Sequence, residues 1–236
     1  MGRAFEFRKV RKMKRWAKMS KTFTKYGKEI SMAVKAGGPD PESNARLRAV
    51  LQNAKADNMP KVNIDNAIKK ASNKDDKAYE ELVYECKGPK GVGIVIECAT
   101  DNPTRTVANL RTIFNRNHGE LAKSGSLDYI FDRKSVFTIT AEGVDMDELE
   151  LELIDAGLEE IEKDENEIVI TTPFANFGTM QKALEDRKLN IVNSEFQRIP
   201  NTLVEVSEEE AELVNTLIEK IEDDEDVQTV FHNMKL

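Results

Sequence analysis

Residues 79–99 read YEELVYECKGPKGVGIVIECA, and this stretch decides the fold class. In its second half Val92, Ile94, Ile96 and Cys98 fall at alternate positions, the period of a strand with one buried face. Gly88-Pro89-Lys90-Gly91 is turn chemistry between two such runs, so strands over 79–85 and 92–99 are predicted to pair as a hairpin. Upstream, as far as Ala71, the apolar period is about 3.6 rather than 2. The switch falls in the polar stretch 73–78, a boundary between a helical segment and a strand-bearing one.

On the helical side, Phe23, Tyr26, Ile30 and Val34 recur at helix spacing, and the run stops at Gly37-Gly38-Pro39. Leu47, Val50, Leu51 and Ala54 form the seam of a second helix, which leaves Arg46, Arg48 and Lys55 off the seam and facing outward. Asn58-Met59-Pro60-Lys61 breaks the chain. A third helix is predicted to start from a cap at Asn63, with Ile64, Ala67, Ile68 and Ala71 inward and Lys69 and Lys70 outward. Three short amphipathic helices can close one small core. The segment before Lys21 is so densely basic that it is expected to be extended or poorly ordered until phosphates neutralise it.

On the strand side, Pro103 suits the first position of a helix running to about Asn117 and stopped by His118-Gly119, and 127–131 reads as a strand. Residues 135–198 then read strand, helix, strand, strand, helix, strand, a ferredoxin-like order. Asp145 with Glu148, and Ser207 with Glu210, are spaced as capping boxes. The tail reads as strand 202–206, helix 208–221 and strand 227–233, which would complete a second unit of the same order with 92–132. The expected fold class is α+β in three domains. A basic all-α domain spans 1–77, a discontinuous α+β domain spans 78–132 plus 201–236, and a ferredoxin-like α+β domain over 133–200 is inserted in it. Residues 79–236 should fold without the helical domain.

Charge divides the chain in the same place. Residues 1–74 hold 19 Lys and Arg against 6 Asp and Glu, a balance of +13, which leaves 16 and 37, a balance of −21, for residues 75–236. Asymmetry on this scale describes a basic module made for a polyanion, oriented by an acidic body that the same polyanion repels. Residues 3–28 alone carry eleven basic side chains and the single acid Glu6, interleaved with Phe5, Phe7, Trp16 and Phe23. The candidate phosphate contacts are Arg3, Arg8, Lys9, Arg11, Lys12, Lys14, Arg15, Lys18, Lys21, Lys25, Lys28, Arg46, Arg48, Lys55, Lys61, Lys69 and Lys70. Asn58, Met59 and Pro60 fit two readings, contacts to an irregular RNA or peptide surface and plain helix punctuation.

Other chemistries lack their residues. No GxSxG, cysteine–histidine signature or convergent carboxylate motif is present, so no catalytic residue is assigned and an enzyme is not expected. Only His118 and His232 offer imidazoles, read as a helix-end and a strand residue, and no ligand spacing suggests a metal or other cofactor. Gly88, Gly91 and Gly93 precede a strand instead of opening a helix, so they are turn residues and not a phosphate loop. Thr100-Asp101-Asn102 reads as a cap for the helix at Pro103. Cys86 and Cys98 are read as reduced packing residues. With 33% charged residues and no apolar run near the roughly 18 needed to span a bilayer, no membrane partner is expected. Residues 1–28 show no export signal, which makes the cytoplasm the expected compartment. No small-molecule substrate is inferred.

Four strings occur together: GGPDPESNARLR from Gly37, AKADNMPKVNIDNAIKKA from Ala54, YECKGPKGVGIVIECATDNPTRT from Tyr84, and GSLDYIF from Gly125. In them the chain resembles the YebC/PmpR family along nearly its whole length, most strongly over 22–131. The resemblance implies an all-helical N-terminal domain followed by two α+β domains. Many members begin with a short Ser-Lys-Trp motif where this chain has Gly2-Arg3-Ala4-Phe5, so roles of that Ser and Trp do not transfer. Members are described as DNA-binding transcriptional regulators and as ribosome-associated translation factors, including a mitochondrial translational activator. The expected function is a non-enzymatic nucleic-acid-binding regulator of gene expression, with DNA as partner. The alternative is a translation factor on ribosomal RNA or the ribosome, and a protein-binding scaffold ranks third.

Overall fold

A computed structural model describes residues 3–73, 78–164 and 166–235, giving backbone alone for 3–19 and 164. The expected boundary at 73–78 lies mostly outside the described residues. Three helices come first, α1 (Arg3–Gly37), α2 (Ala45–Ala56) and α3 (Lys61–Ser72). A hairpin of β1 (Glu80–Lys87) and β2 (Gly93–Thr100) leads to α4 (Pro103–Arg116) and the short β3 (Glu120–Leu121). Next come β4 (Phe131–Thr140), α5 (Met146–Leu153), β5 (Glu160–Asp164), β6 (Glu167–Pro173), α6 (Phe177–Asp186) and β7 (Ile191–Pro200). The chain closes with α7 (Glu208–Glu222) and β8 (Val227–His232). The class is α+β, a helical part and two antiparallel sheets.

Helix α1 departs from expectation by starting at Arg3, not near Thr22. Unbranched Lys, Arg and Met dominate this segment and no Gly or Pro interrupts it before Gly27, so helix propensity outweighs repulsion between neighbouring cations. At its other end Gly38 takes φ +88°, and a Cβ on Gly37 would come within 2.7 Å of the Asn44 amide. That amide does three jobs. Its Oδ1 caps α2 by accepting from the Leu47 N–H at 3.0 Å, and its Nδ2 donates to the Ala33 and Gly38 carbonyls at 2.8 and 2.9 Å. Helix α3 begins three residues earlier than a cap at Asn63 predicts. Pro60, not Asn63, holds the cap position, where its missing N–H costs nothing and its carbonyl accepts from Asn63 and Ile64. Ile30, Leu47, Leu51, Ala54 and Ile64 pack into one core as the seams predicted.

The hairpin pairs Glu80 with Thr100 through to Lys87 with Gly93, turning at Pro89–Gly91 with Lys90 and Gly91 at φ 60° and 80°. Val92, Ile94, Ile96 and Cys98 all face one core, against Leu110 and Phe114 of α4 and Val214, Leu217 and Ile221 of α7. Each such side chain stabilises the fold by about 1.5–3 kcal/mol on burial. The first sheet runs β3-β1-β2-β8, so β1 occupies the position expected for 202–206. That segment contributes only a bridge from Val204 to Met234. Of the strand predicted over 127–131, residues 127–130 are instead a turn and Phe131 opens β4, and the Glu85 carboxylate accounts for the turn. It accepts from the Gly125 N–H (2.6 Å), the Ser126 hydroxyl (2.9 Å) and the Leu127 N–H (2.7 Å), binding to a side chain the amides a ladder would need.

The second sheet runs β5-β6-β4-β7, the ferredoxin-like order, with α5 and α6 covering Phe137, Ile139, Ile168 and Ile170. Ser207 and Glu210 form the predicted capping box. Asp145 caps α5 through the Asp147 and Glu148 amides, without the return bond that the box requires. Cys86 and Cys98 are buried and unbridged, their thiols pushed up to about 12 by burial. Ala49 of α2 joins the second sheet's core, and Asn53 exchanges hydrogen bonds with the backbone of Ser194 at 2.6 and 3.0 Å. The helical part is thereby keyed to β7.

Candidate nucleic-acid interface

The candidate cations sort into three groups. Arg3, Arg8, Lys9, Arg11, Lys12, Lys14, Arg15 and Lys18 lie on the first half of α1, where only the backbone is described. Lys55, Lys61, Lys69 and Lys70 are exposed at the end of α2 and along α3, and none is hydrogen-bonded or ion-paired among the described residues. The remaining cations have partners within the protein.

Lys28 is the plainest correction. The residue is 7% exposed, and its ammonium donates to the Ala99 and Glu225 carbonyls and to the Asp226 carboxylate at 3.0, 2.7 and 3.0 Å. It sits on the turn of α1 that packs against the first sheet, so it is not a phosphate contact in this arrangement. Asp226 also takes two bonds from Arg105 (2.8 and 3.1 Å) and one each from Thr106 (2.9 Å) and Thr100 (3.2 Å). Burial alone would raise that carboxyl, but the bonds from Arg105, Lys28 and Thr106 prevail and hold it below the usual range. The predicted cap at 100–102 is present as well, with Asn102 accepting from the Arg105 N–H.

Lys21 reaches Asp223 at 2.7 Å, and Lys25, its pKa lowered by burial, donates to the Gln228 carbonyl at 2.8 Å. Arg46 and Arg48, expected to face outward, are half-buried and paired with Glu81 and Glu185. The positive module is therefore pinned to the acidic body by its own cations, which no helical period could reveal because the carboxylates that hold them all lie more than 30 residues away.

At the α2–α3 junction Asn58 takes φ 60°, and the Asn58 and Met59 amides bond back to the Lys55 and Ala54 carbonyls. Met59 is 7% exposed and packs in the helical core, so of the two readings for this loop it follows punctuation. Asn58, Pro60 and Lys61 remain exposed. Beside them a groove of about 540 Å³ runs between α1 and α3, floored by Phe23, Gly27 and Met59 and edged by Asn63 and Asn66. The sequence reading took Asn63 only as a cap and did not single out Asn66, although their i, i+3 spacing off the apolar seam was the available signal.

Residues 3–74 match the family model described as the TACO1/YebC protein N-terminal domain, and residues 79–234 the model for the TACO1/YebC second and third domain. A protein of Parabacteroides distasonis named "Probable transcriptional regulatory protein" is 56% identical over 236 residues, covering 100% of this chain and 97% of its own. One of the same name in Sulfurimonas denitrificans is 49% identical over 235 residues, covering 99% and 100%. Among solved structures, the conserved hypothetical protein Aq1575 of Aquifex aeolicus aligns with a TM-score of 0.79 at 34% identity, over 92% of this chain and 90% of that one.

Proposed function

The chain belongs to the TACO1/YebC family, and on that premise we propose that it is a non-enzymatic regulator of gene expression that binds nucleic acid through its basic helical part. The observation that carries this is the unpartnered set Lys55, Lys61, Lys69 and Lys70, exposed on the module whose balance is +13. Eight further cations occupy the first half of α1. Cations without internal partners are free to displace counterions from phosphate, whatever the base sequence. The relatives' name supports a transcriptional role, with DNA as the first partner. Among the described residues no helix is long and apolar enough to cross a membrane.

Ribosomal RNA is the second reading, favoured by the groove between α1 and α3. A concavity of about 540 Å³ with a half-buried ring and two amides at its edge suits an unstacked base better than a smooth duplex. Binding of the full chain to duplex DNA and to ribosomes, titrated against salt, tests both. The log–log slope should be about −0.9 per phosphate contact on duplex and about −0.7 on single strands, and Lys61→Gln, Lys69→Gln and Lys70→Gln should each reduce it by up to about one unit. Asn63→Ala should weaken ribosome binding and spare duplex DNA. Unchanged binding to both after all three lysine replacements would refute this surface and favour a protein scaffold.

A further inference from the structure

Where the helical part, the first sheet and the second sheet meet, they enclose a cleft of about 590 Å³, within the range of small-molecule sites. Its walls are Met32 and Val50 from the helices, Leu82 and Phe231 from the first sheet, and Phe177 and Phe196 from the second. Six charged side chains line it: Glu29, Glu81, Glu97, Glu195, Arg46 and Arg133. Glu81 is answered by Arg46, and Glu97 by Arg198 at 2.9 Å. The Arg133 guanidinium lies 3.7 Å above the Phe174 ring. Glu29 and Glu195 have no ion-pair partner among the described residues, and Glu29 has no hydrogen bond either.

Two neutral groups on the same walls are unsatisfied. Ser194 is 4% exposed and its Oγ has no partner, although its backbone is held on both sides by Asn53. The Gln228 amide is buried at both Oε1 and Nε2 without a partner, while its carbonyl is fixed by Lys25. Buried polar atoms left unpaired cost about 1–3 kcal/mol each, and Ser194 and Gln228 are the residues with such atoms, among the described ones, that also line this cleft.

We infer that this cleft binds a small organic cation, an ammonium or guanidinium on an apolar body, with Glu29 and Glu195 taking the charge. Ser194 and Gln228 supply neutral hydrogen bonds, and the apolar side chains cover the body. Burial pushes the Glu29 carboxyl up to about 7, against the pull of Arg46 and Lys25 and with the help of Glu195 and Glu97, and an entering cation would restore its ionised form. Because the walls come from all three parts, a bound ligand would also clamp them together. None of this depends on the nucleic-acid reading.

Isothermal titration of the full chain with agmatine and with tyramine tests the inference. At least one should bind saturably with one site per chain. Glu29→Gln should weaken it at least tenfold and Ser194→Ala severalfold, with both variants melting cooperatively. Glu208→Gln, on the exposed acidic start of α7, should leave it unchanged. Absence of saturable binding by both cations overturns the inference, as does equal binding by wild type and Glu29→Gln. Inorganic phosphate binding that disappears with Arg133→Gln would make the cleft an anion site and overturn it too.

Discussion

Replacing Asp226 with Ala removes the carboxylate that joins α1, α4 and β8. Lys28, 7% exposed, then keeps two carbonyl acceptors and loses its counter-charge, while Arg105, Thr100 and Thr106 lose their common acceptor. Stranding one partner of a buried pair costs about 3–5 kcal/mol. Lys28→Met is milder, about 1–2 kcal/mol, because Asp226 retains Arg105 and both threonines and an aliphatic chain fills the space. The exposed pair Lys21–Asp223 is the control, worth at most about 1 kcal/mol. Urea unfolding at pH 7 gives these differences directly, and the double variant Asp226→Ala with Lys28→Met should be less destabilised than the sum of the singles. The folded pKa of Asp226 is depressed, so its contribution is complete above the unfolded value near 4 and disappears as pH falls through the folded one. The wild-type advantage over Asp226→Asn should accordingly collapse in acid. A cost for Asp226→Ala no larger than that of Lys21→Ala, or strict additivity in the double variant, would refute the latch.

Glu29 runs in the opposite sense. With its folded pKa raised to about 7, its contribution to stability is complete below the unfolded value near 4.3 and is lost as pH rises toward 7. Glu29→Gln should gain in melting temperature over wild type at pH 8 compared with pH 5, and a difference independent of pH would contradict this. A fragment of residues 79–236 should keep both sheets by circular dichroism and melt cooperatively, at a lower temperature than the full chain because the Ser194 backbone and Asp226 lose Asn53 and Lys28. It should bind neither DNA nor RNA, and a non-cooperative melt would show that the helical part is needed for folding. Gly38→Ala, at φ +88°, should cost about 1–2 kcal/mol in urea unfolding, while no loss would mean that the α1–α2 turn relaxes. EDTA should leave the melt unchanged, since the described residues hold no group of three potential metal ligands, and a stoichiometric metal in the purified protein would contradict this.

What the chain declares in its own order is everything set by neighbours a few residues apart. The seams of α2 and α3, the hairpin around Gly88–Gly91, the capping box at Ser207 and Glu210, and the ferredoxin-like run from β4 to β7 were legible because helix and strand periods, turns and caps are local physics. The split of charge at residue 74 was equally plain. Tertiary structure decided the rest, wherever a side chain's partner is distant in sequence. Glu85, some forty residues upstream, holds 125–127 in a turn that leads into the predicted strand at 127. β1, already paired to β2 by a tight turn, takes the central sheet position that 202–206 would have needed a long closure to reach. Lys28 and Lys61 are both lysines in basic helices, yet one is buried on Asp226 and the other faces solvent. Helical periodicity says which side of a helix is apolar, but only the packing of α1 and α2 onto two sheets fixes which cations stay free for a polyanion, and which carboxylates are left alone in a cleft.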